Sequence, residues 1–233
     1  MVISKFITRK KIEEPEESEQ FNHLPAEKKT RITDAFISEF AKKGFRAASM
    51  NKIVERAGIS KGSIFNYFTS KNQLFMYAYK VAFERVKEYL REVRDETKDE
   101  EFFTRFQKVM EAGVRFVKKH PNLARIYYRI LYTGDSPEGV AILQEIHAES
   151  MKFISSFVEQ GVERGEISAE IDVDKAAFIL ESVLNRFLQV QHQNVLDPSL
   201  KLYGASSEES ERWIEEMVTL LRNWMGVNSN EAK

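Results

Sequence analysis

Cysteine is absent from the 233-residue chain, which excludes disulfides and thiolate metal sites and favours a reducing, cytoplasmic location. No apolar run approaches the roughly 18 residues that a membrane span needs, and the N-terminus lacks a signal-peptide core. We therefore expect no membrane partner. Glycine (10) and proline (5) are scarce, and apolar residues recur at helical spacing without alternation. These features predict an all-α protein.

The chain also lacks any assembled set of acid, base and nucleophile, so it is not expected to be an enzyme. Its four histidines are scattered, and no His-x-x-x-His pair occurs; we expect no metal and no cofactor. Hydrophobic residues make up 42% and charged residues 30%, with a formal net charge of -1. Length and composition fit a globular protein with one large or two small domains.

Residues 48–71 have the spacing of two short helices joined by a tight turn, with a third helix behind them. Ser49 is placed to cap the first helix. Gly58 can supply the left-handed backbone that ends it, and Ser60 can cap the second helix, predicted from Lys61 to about Tyr67. The stretch therefore predicts a helix-turn-helix.

The second of these helices has an unusual outer face. Ile64 turns inward, and the residues left mostly outside are Lys61, Gly62, Ser63, Phe65, Asn66 and Tyr67. Cations and hydroxyls suit phosphates, while amides and hydroxyls suit base edges. Residues 46–71 hold five basic side chains against one acidic, and such a local excess of cations favours binding to a phosphate backbone.

The stretch resembles the TetR family of transcriptional regulators. The resemblance covers about fifty positions and rests on Gly44-Phe45, Ser49-Met50, Ile53-Val54, Ala57 to Phe65, Tyr67-Phe68 and Ser70-Lys71. It implies an N-terminal three-helix DNA-binding unit followed by a larger helical domain for ligand binding and dimerisation. Beyond residue 95 the likeness is one of architecture only.

By this resemblance, Lys61 and Lys71 would hold phosphates, with help from the hydroxyls of Ser49 and Tyr67. Ser63 and Asn66 would read base edges, and Gly62 would let the backbone approach the duplex. The family often has Tyr at Phe65, so only apolar contact, such as to a thymine methyl, remains there. Where His is common this chain has Asn66, whose amide can pair with adenine, so the operator sequence does not carry over from relatives.

We divide the chain into an N-terminal extension (1–24), a DNA-binding domain (25–71) and a ligand-binding and dimerisation domain (72–233). The extension passes from a basic cluster (Lys5, Arg9, Lys10, Lys11) into an acidic one. It is either a basic arm that touches phosphates or a solvated tail, in both cases outside the core.

Amphipathic periodicity and capping signals predict the remaining helices. A helix over 26–43, ended by Gly44, precedes the motif, and Ser70 with Gln73 opens a long helix to about Arg94. Further helices are expected over 99–119, over the short aromatic stretch around 127–132, from Pro137 to Gly165, from Asp172 or Asp174 through Val190, and over 208–225, after a loop at 194–207.

The middle of the chain is rich in aromatic residues that could line an apolar effector pocket or simply form core. The candidate pocket residues are Phe116, Tyr127, Tyr128, Tyr132, Phe153, Phe157, Arg186 and Gln189; the last two could equally serve a dimer interface. The final two long helices are the expected homodimer seam, as in TetR relatives.

These inferences predict a homodimeric regulator, most simply a repressor that a small-molecule effector releases from a palindromic double-stranded DNA operator. The alternative is a helical small-molecule-binding or interaction protein that keeps the N-terminal unit without using it on DNA.

Overall fold

The computed structural model of the protein describes residues 17–133, 136, 138–193 and 198–227, without the side chains of Tyr132 and Thr133. The basic cluster at 5–11 and most of the turn expected at 134–137 lie outside these residues. The helices are α1 (Glu19–Asn22), α2 (Ala26–Ala47), α3 (Met50–Ala57), α4 (Lys61–Tyr67), α5 (Lys71–Glu96), α6 (Phe102–Lys119), α7 (Pro121–Thr133), α8 (Gly139–Glu163), α9 (Val173–His192) and α10 (Ser207–Met225). A 3-10 turn covers Pro198–Leu200.

The all-α prediction is confirmed, since the only pairing of extended backbone among the described residues consists of two isolated bridges. Of the two expected starts for α9, the structure has Asp172, which caps the helix by accepting from the Lys175 N–H at 3.1 Å. A capping box that we did not predict, Ser206 with Glu209, begins α10.

The chain forms two compact units. The first unit holds residues 17–84 and 122–146 of the described chain, and the second holds 85–121 and 147–227. Helices α5 and α8 each contribute to both units. The first unit therefore combines the helix-turn-helix with α7 and the start of α8.

The core of the first unit is built from the inward faces of α2, α3 and α4. Its fully buried side chains include Ile32, Phe36, Phe40, Ile53 and Ile64, as the periodicity predicted. Helix α2 differs from expectation, since it resumes after a break at Gly44 (φ 72°) and runs on to Ala47. Glycine is suited to that backbone because it has no Cβ to clash.

The expectation that residues 1–24 stay outside the core is wrong at Phe21. This side chain is fully buried, and its ring lies 4.8 Å from the ring of Phe68 and 5.4 Å from that of Tyr77. A lone aromatic between polar residues has no periodicity to mark it as core.

The second unit is organised around α6, which packs against α9 and α10. Its core joins Phe102, Phe106 and Met110 of α6 to residues of α8, α9 and α10. Arg222 of α10 donates to both carboxylate oxygens of Glu101 at 2.9 Å. Burial alone would raise the pKa of Glu101, but the bonds from Arg222 and from backbone N–H groups outweigh it and lower the pKa.

Two helical glycines allow a matched test of packing. A Cβ on Gly161 would lie 2.6 Å from Ile167 Cδ1 and 2.9 Å from Phe102 Cδ2, whereas one on Gly62 would meet only Ser60 Oγ at 3.8 Å. Gly161→Ala should destabilise the protein because overpacking costs about 1–3 kcal/mol, more than the gain of about 1 kcal/mol in helix propensity.

Thermal unfolding followed by circular dichroism would check this prediction. Gly62→Ala is the control and should leave the melting temperature unchanged or raise it slightly. An unchanged melting temperature for Gly161→Ala would contradict the packing described around Ile167.

Candidate nucleic-acid interface

The turn between α3 and α4 is formed by three local contacts. Ser49 caps α3, its Oγ accepting from the Lys52 N–H at 3.4 Å. Gly58 ends α3 in the left-handed conformation (φ 63°), and Ser60 Oγ accepts from the Ser63 N–H at 3.0 Å. The two serine hydroxyls accept from free N–H groups at the helix starts, and the glycine ends α3. The predicted helix-turn-helix is present.

Two further contacts hold the motif against α2. The Ser49 N–H donates to Glu39 Oε1 at 3.0 Å, and Glu39 is itself buried. Arg31 Nε donates to the last carbonyl of α3, that of Ala57, at 3.1 Å. Because Ser49 is committed to the cap and to Glu39, its hydroxyl and N–H both act within the protein.

The outer face of α4 carries no acidic residue. Lys61, Gly62 and Asn66 are exposed, Phe65 is 44% exposed, and Ser63 is half-buried with its hydroxyl 2.8 Å from that of Ser60. An exposed phenyl ring can make apolar contact with a thymine methyl group. This face therefore combines hydrogen-bonding groups, a cation and an apolar contact suited to a groove of DNA.

Tyr67 differs from expectation. We expected it outside, yet it is only 8% exposed, and its ring lies 5.6 Å from that of Phe21. It occupies the last turn of α4, where the helix meets the segment before α2. The outward placement of Tyr67 is therefore wrong, although a role for its hydroxyl at DNA stays a prediction.

Lys71 is engaged by the protein itself. Its Nζ donates to the carbonyl oxygens of Arg46 at 3.1 Å and Ala48 at 2.7 Å, and it lies 5.2 Å from the centre of the Phe45 ring. An ammonium has three N–H donors. These two bonds leave one N–H for a phosphate.

Sequence reasoning missed a second cation at the same corner. Arg129 of α7 donates from Nε to the Ala41 carbonyl and from Nη2 to the Lys42 carbonyl, both at 3.1 Å. Nothing in the sequence pairs residues so far apart. Arg129 and Lys71 thus bond the backbone of α2 on either side of Gly44.

The candidate pocket residues fall in two groups. Phe116, Phe153, Phe157, Arg186 and Gln189 belong to the second unit, and Tyr127, Tyr128 and Tyr132 to the first. The side chain of Tyr132 lies outside the described part of the chain.

In the second unit, packing accounts for most of this set. The rings of Phe153 and Phe157 stack at 6.3 Å, and Phe157 belongs to the buried core. Arg186 is exposed and donates from Nη1 to Oε1 of the buried Gln189 at 3.0 Å.

In the first unit, the buried Tyr128 packs edge-on to Tyr127. A polar group lies close by: the buried Tyr79 donates from its hydroxyl to Glu145 Oε2 at 3.3 Å. Burial, then the nearby charge of Glu145, raises the pKa of Tyr79 well above its usual value. Tyr79 is therefore a neutral hydroxyl at physiological pH.

Other kinds of site find no support among the described residues. No group of three or more histidine and carboxylate side chains lies together there to hold a metal ion. In the same part of the chain, every helix is too short or too polar to cross a membrane.

Comparison with known proteins identifies the family. The model of "Bacterial regulatory proteins, tetR family" matches residues 32–78, and that of "Tetracyclin repressor-like, C-terminal domain" matches residues 98–226. The chain belongs to the TetR family. It is a DNA-binding transcriptional regulator, and the TetR resemblance seen in residues 44–71 is confirmed.

Individual relatives agree with this family assignment. The HTH-type transcriptional repressor KstR of Mycolicibacterium smegmatis is 36% identical over 70 residues, 30% of this chain and 34% of that protein. A TetR-family regulator from Chloroflexus aurantiacus J-10-FL superposes with a TM-score of 0.70 at 29% identity, covering 91% of this chain and 99% of that one.

The TetR fold is shared by more distant regulators. FadR of Bacillus subtilis, solved in complex with stearoyl-CoA, superposes with a TM-score of 0.66 at 19% identity, covering 82% of this chain and 96% of that one.

The α4 face predicts different effects for two substitutions. Asn66→Ala should relax preference at one base pair by about 1–3 kcal/mol, since an amide can read a base edge. Lys61→Ala should weaken binding to all duplexes alike and lower the salt slope by about 0.9, the value for one phosphate contact.

Binding titrations at several salt concentrations, with the preferred duplex and single-base variants, would measure both effects. The division of roles is wrong if the two substitutions weaken all duplexes equally.

Proposed function

We propose that this TetR-family regulator acts in the cytoplasm as a homodimeric repressor that binds a palindromic operator and leaves it when a small molecule binds. The observation that carries the DNA-binding part is the outer face of α4, where Lys61, Gly62 and Asn66 are exposed without an acidic neighbour on the helix. Phe65 adds the apolar contact.

The other DNA-binding assignments take these roles. Ser63 would read a base edge beside Asn66, and Gly62 would allow close approach of the backbone. Lys71 would offer its remaining N–H to a phosphate while holding the end of α2. Ser49 bonds Glu39 and Tyr67 packs against Phe21, so any contact that they make with DNA would be secondary.

The proposed dimer seam lies on α9 and α10 of the second unit. Phe178 is 58% exposed on α9, while Leu220 and Trp224, one turn apart on α10, are 69% and 45% exposed. Trp213 and Met217 continue this stripe and are half-buried. A stripe of exposed apolar side chains along one face of α10 supports an interface there. A two-fold dimer would hold its two copies of α4 at the fixed spacing that a palindrome requires.

The effector part of the proposal is supported by the family and by chemistry in the first unit. FadR, which shares the fold, was solved with stearoyl-CoA. The KstR relative is named a repressor, which supports the repressor part of the proposal. Tyr79, Tyr127 and Glu145 supply polar groups near buried aromatic side chains, a combination suited to a ligand with an apolar body and a polar group.

Selection from a random duplex pool would test the proposal. The protein should enrich a palindromic sequence, and binding to it should weaken steeply with salt. Mass spectrometry of small molecules that co-purify would then supply candidates for release of the duplex. Enrichment of no sequence would favour the alternative, a helical interaction protein that does not use α4 on DNA.

The dimer seam gives a separate prediction. Leu220→Glu should convert the dimer to a monomer, because a charge cannot be buried unpaired at an apolar interface. Operator affinity should fall by about 10²-fold or more, since one half-site no longer assists the other. Sedimentation and operator titration would measure both.

Val140→Glu is the matched control, because Val140 is 70% exposed and belongs to the first unit. It should change neither the mass nor the affinity. A dimer that persists in Leu220→Glu would place the seam elsewhere.

A further inference from the structure

Helix α4 has only seven residues, and isolated helices shorter than about 12–15 residues are marginal in water. Its N-terminal end is held by Ser60. Its C-terminal end needs partners as well, because the last carbonyls of a helix have no intrahelical donor. The Ser18 N–H donates to the Tyr67 carbonyl at 3.0 Å, and Glu17 forms an antiparallel bridge with Phe68.

The same segment inserts an aromatic side chain behind α4. Phe21 is fully buried and contacts the rings of Tyr67 and Phe68, at 5.6 and 4.8 Å. Lys29 of α2 also contacts this segment, with Nζ 5.0 Å from the centre of the Phe21 ring and 3.1 Å from Asn22 Oδ1. Residues 17–22, the anchor segment, are thus bound to both α2 and the end of α4.

We propose that the anchor segment is a working part of the DNA-binding unit, with Ser18 and Phe21 as positioning residues that set the orientation of α4. This inference rests on the proposed operator binding. The segment precedes residue 32, where the match to the family model begins.

Base reading explains why such a restraint matters. A hydrogen bond to a base edge tolerates only a few tenths of an ångström and a limited angle, whereas a phosphate contact by a flexible lysine tolerates more. Tyr67 follows Asn66 directly, so a bond to the Tyr67 carbonyl restrains the turn that presents the Asn66 amide. Loss of the anchor should therefore weaken sequence discrimination more than general affinity for DNA.

Ser18→Pro tests the bond directly. Ser18 has φ of -69°, which suits proline, and proline has no N–H to donate. Its Cδ takes the place of that hydrogen and also forces the Tyr67 carbonyl, 3.0 Å from the Ser18 nitrogen, to move away. The substitution also removes the Ser18 hydroxyl, which caps α1 by accepting from the Phe21 N–H at 3.2 Å. Ser18→Ala is the matched control, since it removes the same hydroxyl but keeps the N–H.

The measurement is the ratio of affinities for the selected operator and for a scrambled duplex of the same composition. It is made at a temperature at which unfolding curves show every variant to be folded. Ser18→Pro should lower this ratio about three- to tenfold relative to Ser18→Ala, the worth of one net hydrogen bond. Affinity for the scrambled duplex should stay unchanged.

Phe21→Leu is the second variant, should Ser18→Pro fail to fold. It keeps an apolar side chain of similar size but loses the ring contacts with Tyr67 and Phe68, and it should lower the same ratio. A merely structural role would lower the melting temperature and leave the ratio of the folded protein unchanged.

Equal ratios for Ser18→Pro, Ser18→Ala and the unsubstituted protein, with operator binding intact, would overturn this inference alone. If the unsubstituted protein itself prefers no duplex, the proposed function is overturned and the inference with it. The two failures are distinguishable because the second appears before any substitution is made.

Discussion

The bonds that two cations make to the end of α2 are the constraint on which the DNA-binding unit depends. The helix breaks at Gly44, and side chains from later helices bond the backbone on both sides of the break. Arg129 bonds the carbonyls before it and Lys71 those after it. Ser49 and α3 follow this break in the chain. Any shift of this corner would move α3, and with it α4.

This constraint bears on the proposed role of Lys71 at DNA. A lysine free in water contacts a phosphate as a mobile point charge, but the ammonium of Lys71 already donates to two carbonyls. A phosphate that takes its third N–H would bind a group fixed to the α2 corner. The DNA backbone would then be held to the same corner that positions α3, which would link the proposed phosphate contact mechanically to the proposed base reading.

The sequence was sufficient for features encoded within a few residues. Ser49, Gly58 and Ser60 determine the helix ends through local hydrogen bonds and a single backbone conformation, so the helix-turn-helix and the inward position of Ile64 could be predicted. Such signals need no knowledge of the rest of the chain.

Features that depend on distant partners could not be predicted. Phe21 is core only because Tyr67, Phe68 and Tyr77 surround it, and Tyr67 is buried for the same reason. In the sequence Arg129 resembles any other cation on a helix surface, because its bonds to α2 depend on the fold. The candidate pocket set mixed residues of two units, since aromatic spacing alone does not separate pocket from core.

The charges near α4 show why orientation should matter as well as electrostatic attraction. Of the five cations in residues 46–71, Lys71 is bonded to two carbonyls, and the other four, Arg46, Lys52, Arg56 and Lys61, are exposed. Phosphate contacts by these cations would attract any duplex alike and carry no sequence information. In the proposed dimer, sequence preference would come from base contacts made in register by two subunits. Those contacts require a short helix whose two ends are both held, as Ser60 and Ser18 hold α4.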